Sequence, residues 1–273
     1  MEFSQARQAF LQEVRRPIEQ IDLARAALYL AQEDYPGLVV ESYLNRLDQM
    51  AAVVGDRLAG DRVPMRVIRA INQYLFTELE FSGNQSDYYD PRNSFLNEVL
   101  DRRLGIPITL SLVYLEIAKR LNFPMVGIGM PGHFIIRPDF EEAGIFVDAF
   151  AQGEILFPQD CADRLSSIYG QPVALKPQFL EPVDPHRFLV RMLTNLKAIY
   201  ISRQDPIRAA RVIEQILLIF PDAIQERRDR GLLYYQLERF TEARADLQAY
   251  LEAKPQAFDR APIAALLDRL SDF

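Results

Sequence analysis

Two side chains on neighbouring strand-like runs are candidates for a hydrogen-bonded pair able to do proton chemistry. His133 lies in the run His133-Phe134-Ile135-Ile136-Arg137, and Asp148 lies in the run from Gly144 to Phe150; both runs are rich in β-branched and aromatic residues. A carboxylate bonded to an imidazole holds one ring tautomer and supports its charged form, which is how a general base is set up. The same bond between buried groups would also satisfy two polar side chains and fix strand register, so a structural or binding use stands beside the chemical one. A base of this kind needs a nucleophile to act on. The one cysteine, Cys161, sits in Gln159-Asp160-Cys161-Ala162-Asp163, where acidic neighbours raise a thiol pKa. It is expected to be inert or modestly exposed. Ser111, on the helix preceding the pair, is a substitute candidate; a buried serine bonding a backbone carbonyl is the plain alternative.

The elements that must position this pair follow from the pattern around it. Pro107 suits a helix's first turn, where its missing N–H costs little. The helix over 108–121 carries Leu110, Leu112, Val113, Leu115, Ile117, Ala118 and Leu121, and apolar residues on most sides predict a central helix. Before it, Asn93-Ser94 read as the cap of a helix running to Leu104, with Gly105 as its C-terminal glycine. After Asn122-Phe123-Pro124 the period changes. Short strands are expected at 125–130, 133–137, 144–150 and 154–157, then a helix over 158–169. Upstream, helical spacing covers 3–16, 20–33 and 40–54, with Gly55 and Gly60 bracketing the end of the third and Pro64 opening a fourth. Residues 81–92 are a polar, turn-rich loop. Strands beside helices argue an α+β, mostly helical fold with a small antiparallel sheet against the central helix.

The tail repeats itself. Aligning Pro221 with Pro255 gives a 34-residue period that also matches Tyr200 with Tyr234 and Ala209 with Ala243. Gly231 stands three before Tyr234, where a tetratricopeptide repeat wants a small residue so that its two helices can approach. Lys197 and Leu247 depart from the pattern, so these are divergent α-helical hairpins.

Composition narrows the function classes. The 273 residues are 49% apolar and 25% charged, with a formal net charge of −7. A phosphate-backbone partner is disfavoured by that charge, so no nucleic acid is expected. One cysteine and two histidines leave no expected metal site, and no cofactor is called for. No apolar run reaches the ~20 residues of a membrane span, and the N-terminus lacks a basic and then apolar leader; a cytoplasmic protein is expected. Oligomeric state is not legible.

Asn93-Ser94, the run Arg103-Leu104-Gly105-Ile106-Pro107-Ile108-Thr109-Leu110-Ser111, Tyr114-Leu115-Glu116 and Pro131-Gly132-His133-Phe134 resemble the bacterial SirB-type proteins, as do Tyr35-Pro36-Gly37-Leu38 and Tyr43-Leu44-Asn45-Arg46-Leu47. That resemblance covers nearly the whole chain. It implies a transglutaminase-like (papain-like) core at 81–170, an N-terminal helical segment at 1–80 packing on it, a linker at 171–184 and tetratricopeptide-type helices at 185–273. In the wider superfamily a Gly-X-Cys begins the central helix, followed by the base and its orienting acid on the next strands. Here Gly105-Ile106 precede Pro107, which has no nucleophile, while His133 and Asp148 match the other two positions. The resemblance therefore implies a pseudoenzyme: a non-catalytic protein- or peptide-binding or regulatory module with a protein or peptide partner. Two alternatives remain, a hydrolase or acyl-transfer enzyme using His133 and Asp148 with Ser111 or activated water, and a scaffold that binds through its repeats only. The motif residues have two readings as well. Asn93 reads as a cap and Arg103 with Glu116 as an ion pair tying helices together; grouped around His133 instead, Asn93, Arg103, Tyr114 and Glu116 would bind a peptide carboxylate or side-chain amide.

Overall fold

The computed structural model describes residues 4–140 and 144–270. The chain divides into two compact units at Met192 and Leu193, within one long helix.

The first unit begins with helices α1 (Gln5–Val14), α2 (Leu23–Gln32), α3 (Val40–Leu58) and α4 (Pro64–Asn72). Side-chain oxygens of Ser4 and Asp22 cap α1 and α2 by accepting backbone N–H bonds from Arg7 and Arg25. The third helix ends between Gly55 and Gly60, as expected. Helix α3 continues to Leu58 and ends at Ala59 in the left-handed region, because Val54 and Leu58 extend its buried stripe past the glycine. Helix α4 runs on as a wider π turn, Gln73–Glu78.

Two-residue strands β1 (Ser82–Gly83) and β2 (Leu104–Gly105) pair in parallel on either side of helix α5 (Leu96–Arg102). This corrects two expectations. Gly105 lies in the β2 bridge rather than capping a helix, and Arg103 takes the left-handed cap conformation at φ 60°. Asn93 and Ser94 lie in a 3-10 turn, Pro91–Ser94, and neither caps α5.

The central helix α6 (Pro107–Arg120) is buried along almost its whole length. Against it lies an antiparallel sheet in chain order, β3 (Met125–Ile128), β4 (Ile135–Pro138), β5 (Phe146–Asp148) and β6 (Glu154–Leu156). Helix α7 (Pro158–Tyr169) covers the other side. Ile128, Ile135, Phe146 and Leu156 pack there with Cys161 and Leu165. Enclosure between α6 and α7 explains why these strands are apolar at successive positions instead of alternating. Val173, Leu175, Phe179 and Leu180 pack against the same core. Val183 N–H donates to the Gly127 carbonyl at 2.9 Å, so the proline-bearing stretch 171–184 lies along the sheet edge.

Helix α8 (Pro185–Ser202) crosses into the second unit, which continues with α9 (Pro206–Ile219), α10 (Ile224–Gln236), α11 (Phe240–Ala253) and α12 (Arg260–Leu270). The repeat anchors have the packing roles their types suggest. Ala209, Ala243, Tyr200 and Tyr234 are buried. A Cβ built on Gly231 would lie 2.8 Å from Leu247 Cγ, so glycine lets α10 and α11 close together. At the glycine position of the preceding repeat, Lys197 instead reaches Glu226 and Asp229, each at 2.7 Å. Gly231→Val is expected to overpack this contact and cost about 1–3 kcal/mol. A lowered urea midpoint would register that cost, and an unchanged one would show that α10 and α11 can separate freely.

Candidate functional site

His133 and Asp148 come together. His133 Nε2 lies 2.7 Å from Asp148 Oδ2, the carboxylate is fully buried, and His133 is 8% exposed. His133 precedes its expected strand: Gly132, at φ 74°, turns the chain, and His133 N–H donates to the Met130 carbonyl before β4 begins at Ile135. Asp148 is the last residue of β5, and its Oδ1 accepts N–H bonds from Phe150 at 3.0 Å and Ala151 at 3.2 Å. The acid thus closes a turn as well as meeting the imidazole.

A third group enters that the sequence reading missed. Arg164 Nη1 donates to the same Asp148 Oδ2 at 2.6 Å, and Arg164 Nη2 bonds Glu154. Burial works to raise the Asp148 carboxyl, but the His133 hydrogen bond and the charges of His133 and Arg164 outweigh it and hold it below the ordinary carboxylate range. A signal for Arg164 existed. It stands three residues after Cys161 and one before Leu165, on the inward side of α7.

A row of aromatic residues begins at the imidazole. Its ring meets Phe150 edge to face with centroids 6.4 Å apart, and Phe150 meets Tyr88 in the same way at 6.0 Å. Tyr89, 68% exposed, continues the row at 5.3 Å from Tyr88. Burial raises the Tyr88 phenol, with Tyr89 adding to it and Arg191 opposing. Phe150 packs against Gly83, where a Cβ would come within 2.4 Å of its ring. Gly83 pairs with Gly105, two residues before Pro107. Phe150 is therefore in contact with both the imidazole and the strand pair leading into α6. Arg191 Nη2 approaches the carbonyls of Met130 and His133 at 3.4 Å.

The remaining predicted residues fall elsewhere, for identifiable reasons. Asn93 is buried and donates to the carbonyls of Asp87 at 2.8 Å and Tyr88 at 3.2 Å, while its own carbonyl accepts from Thr109 Oγ1 at 2.7 Å. Thr109 Oγ1 also accepts from Ile106 N–H at 3.1 Å. Asn93 thus ties the Tyr88 loop to the start of α6. Arg103 donates to the Leu79 carbonyl. Glu116 pairs not with Arg103 but with Arg120, one turn along the same helix. Tyr114 is a core residue, its hydroxyl 3.2 Å from the Ile68 carbonyl. These four do not gather around His133.

Among the described residues, neither candidate nucleophile is hydrogen-bonded to the imidazole. Pro107 is buried at the first turn of α6. Ser111 is fully buried, and its Oγ makes no hydrogen bond to His133 or to a backbone carbonyl. Cys161 is buried rather than modestly exposed, and burial, with Asp160 adding to it, pushes its thiol up to about 11. Among the described residues no group of three His, Cys, Asp or Glu side chains is placed to hold a metal, and no helix is long and apolar enough to cross a membrane.

Comparison with known proteins matches this architecture. The family described as the transglutaminase-like superfamily matches residues 41–194, and that described as the tetratricopeptide repeat matches 196–268. A UPF0162 protein of Xylella fastidiosa (strain 9a5c) is 36% identical over 240 residues, 87% of this chain and 85% of that protein. A UPF0162 protein of Vibrio cholerae is 30% identical over 236 residues, covering 86% of this chain and 87% of its own length. F-box only protein 21 of Homo sapiens is 31% identical over 185 residues, 63% of this chain but 28% of that protein. No solved structure matches the chain. With the transglutaminase-like fold and the repeat helices both in place, the chain belongs to the UPF0162 family.

Proposed function

We propose that this protein is a non-catalytic binding module that takes a peptide or protein segment at the aromatic surface beside His133, with the repeat helices offering a further protein-binding surface. The observation that carries this reading is the buried Pro107 at the helix start, with Ser111 and Cys161 both buried and neither bonded to the imidazole. A base without a nucleophile keeps recognition chemistry: an imidazole donor or acceptor, an arginine at Arg191, and exposed aromatic area at Tyr88 and Tyr89. Recurrence of the matched region as a small part of a longer relative supports a transferable module. Tetratricopeptide-type helices, which present concave surfaces to protein segments, support a protein partner.

A hydrolytic reading has one observation in its favour. Among the described residues the ring's one hydrogen bond goes to Asp148, which leaves the second nitrogen available to activate water.

The two readings separate in one experiment. Isotope-labelled protein is titrated with a degenerate pool of twelve-residue peptides while peptide cleavage and ammonia release are followed. Resonances of Tyr88, Tyr89 and His133 are expected to shift with the peptides intact, and Tyr89→Ala is expected to weaken binding about 5–30-fold. Turnover that disappears in His133→Ala would establish the enzyme instead. Peptides that shift no resonance in this group would also sink the binding reading.

A further inference from the structure

A cavity of about 650 Å³ opens at the far end of α6 from Pro107; fourteen residues of helix separate the two ends by about 20 Å. Its origin lies in the edge of the sheet. Val183 N–H extends the ladder to the Gly127 carbonyl and Ile128 bridges Pro182. At Asp184-Pro185 the chain turns away into α8, and proline has no N–H with which to continue the ladder. The space beside Met125 and Val126 therefore stays open. Its walls are apolar, from Ile21, Leu115, Phe123, Val126, Val183 and Phe188, and its size is that of small-molecule sites.

One polar group in this wall has an oxygen to spare. Glu116 is 2% exposed and lines the cavity; its Oε2 is held by Arg120, while its Oε1 takes no hydrogen bond among the described residues. Burial raises this carboxyl, with Asp22 adding to it and Lys119 and Arg120 opposing, as expected of a buried acid short of donors. Glu19 and Asp184 also line the cavity, Asp184 with Arg187 3.5 Å from its carboxylate, and Lys119 is the one cation among the described lining residues. Arg120 is shared with Asp48, its Nε 2.6 Å from that carboxylate.

We propose that this cavity binds an organic cation with an apolar body, an amine whose N–H donors reach Glu116 Oε1 while its hydrocarbon part lies against Leu115, Val126 and Phe188. Charge complementarity selects the cation: three carboxylates face the space with one lysine, and a buried acceptor gains most from a charged donor. The site is independent of His133 and of what binds there.

The test uses three probes of one shape, 4-phenylbutylamine, 4-phenylbutan-1-ol and 4-phenylbutanoate, measured by calorimetry on the full chain. The amine is expected to bind one per chain, at least tenfold tighter than the alcohol, with the carboxylate weakest. Glu116→Gln is expected to weaken the amine at least tenfold and the alcohol less than twofold. Because Glu116→Gln also disturbs Arg120, Met125→Trp serves as a second variant: filling the cavity from β3, it abolishes amine binding while the circular dichroism is unchanged. Equal affinity for the three probes, no binding of the amine up to its solubility limit, or undiminished binding in Met125→Trp would each overturn the proposal.

Discussion

Asp148→Ala is expected to destabilise the first unit by about 3–5 kcal/mol, the cost of removing one partner from a buried charged pair. The carboxylate takes hydrogen bonds from His133, Arg164 and two backbone N–H groups, and the substitution leaves all four short of an acceptor. Arg164 keeps Glu154 and some contact with water, which favours the lower end of that range. Asp148→Asn gives the pH signature. The folded carboxyl is held below its ordinary value, so its stabilisation is fully present above the unfolded value of about 4 and is lost as pH falls through the folded one. Urea unfolding from pH 7 downward should therefore show wild type and Asp148→Asn converging in acid. Parallel stability curves across that range would mean that Asp148 carries no charge-dependent stabilisation, and the pair would lose its claim to be ionic.

Tyr114→Ala is expected to cost about 3–5 kcal/mol, as large-to-small changes at fully buried aromatic positions do. The ring is fully buried and stacks on Phe76 at 6.3 Å, filling the space between α6 and the π turn after α4. Tyr114→Phe keeps the volume and removes only the hydroxyl at the Ile68 carbonyl, for about 1 kcal/mol. That contrast decides between the two readings of a motif residue. A core residue gives the large and small stability losses with peptide binding unchanged in the Phe variant. A Tyr114→Phe protein of wild-type stability that loses binding would place the hydroxyl in a recognition site, against its burial.

The two changes bear on how the His133 site is held. His133, Asp148 and Arg164 form an assembly that closes the turn after β5, holds α7 to the sheet and orients the imidazole together. The first two duties need no nucleophile, so the pair has a role in stability whatever its chemistry. The aromatic row is tied just as firmly, through Asn93 and Thr109, to the start of α6. The hydrogen bond at the Tyr88 carbonyl restrains the loop that carries the row, and a restrained surface loses less entropy on binding.

The sequence by itself determined the order of elements, because that order rests on local chemistry. Proline at Pro64, Pro107 and Pro158 marks helix starts, the apolar run after Pro107 requires enclosure, and the repeat period at Pro221 and Pro255 requires paired helices. It also brought out His133 and Asp148, which the fold places in contact. What it left open were contacts between residues far apart in the chain. Arg103 and Glu116 look like a pair only while their directions are unknown; the left-handed backbone at Arg103 carries its side chain to Leu79, and helical spacing gives Glu116 to Arg120. Arg164 joining Asp148, Phe150 lying on Gly83, and Asn93 holding the Tyr88 loop all depend on packing two elements at one distance and angle. The cavity beside Glu116 is the extreme case, for it is made by where the chain is absent, after Pro185 turns away from the edge of β3. Periodicity and residue type fix which face of an element is buried, and only the packed tertiary structure decides what that face meets.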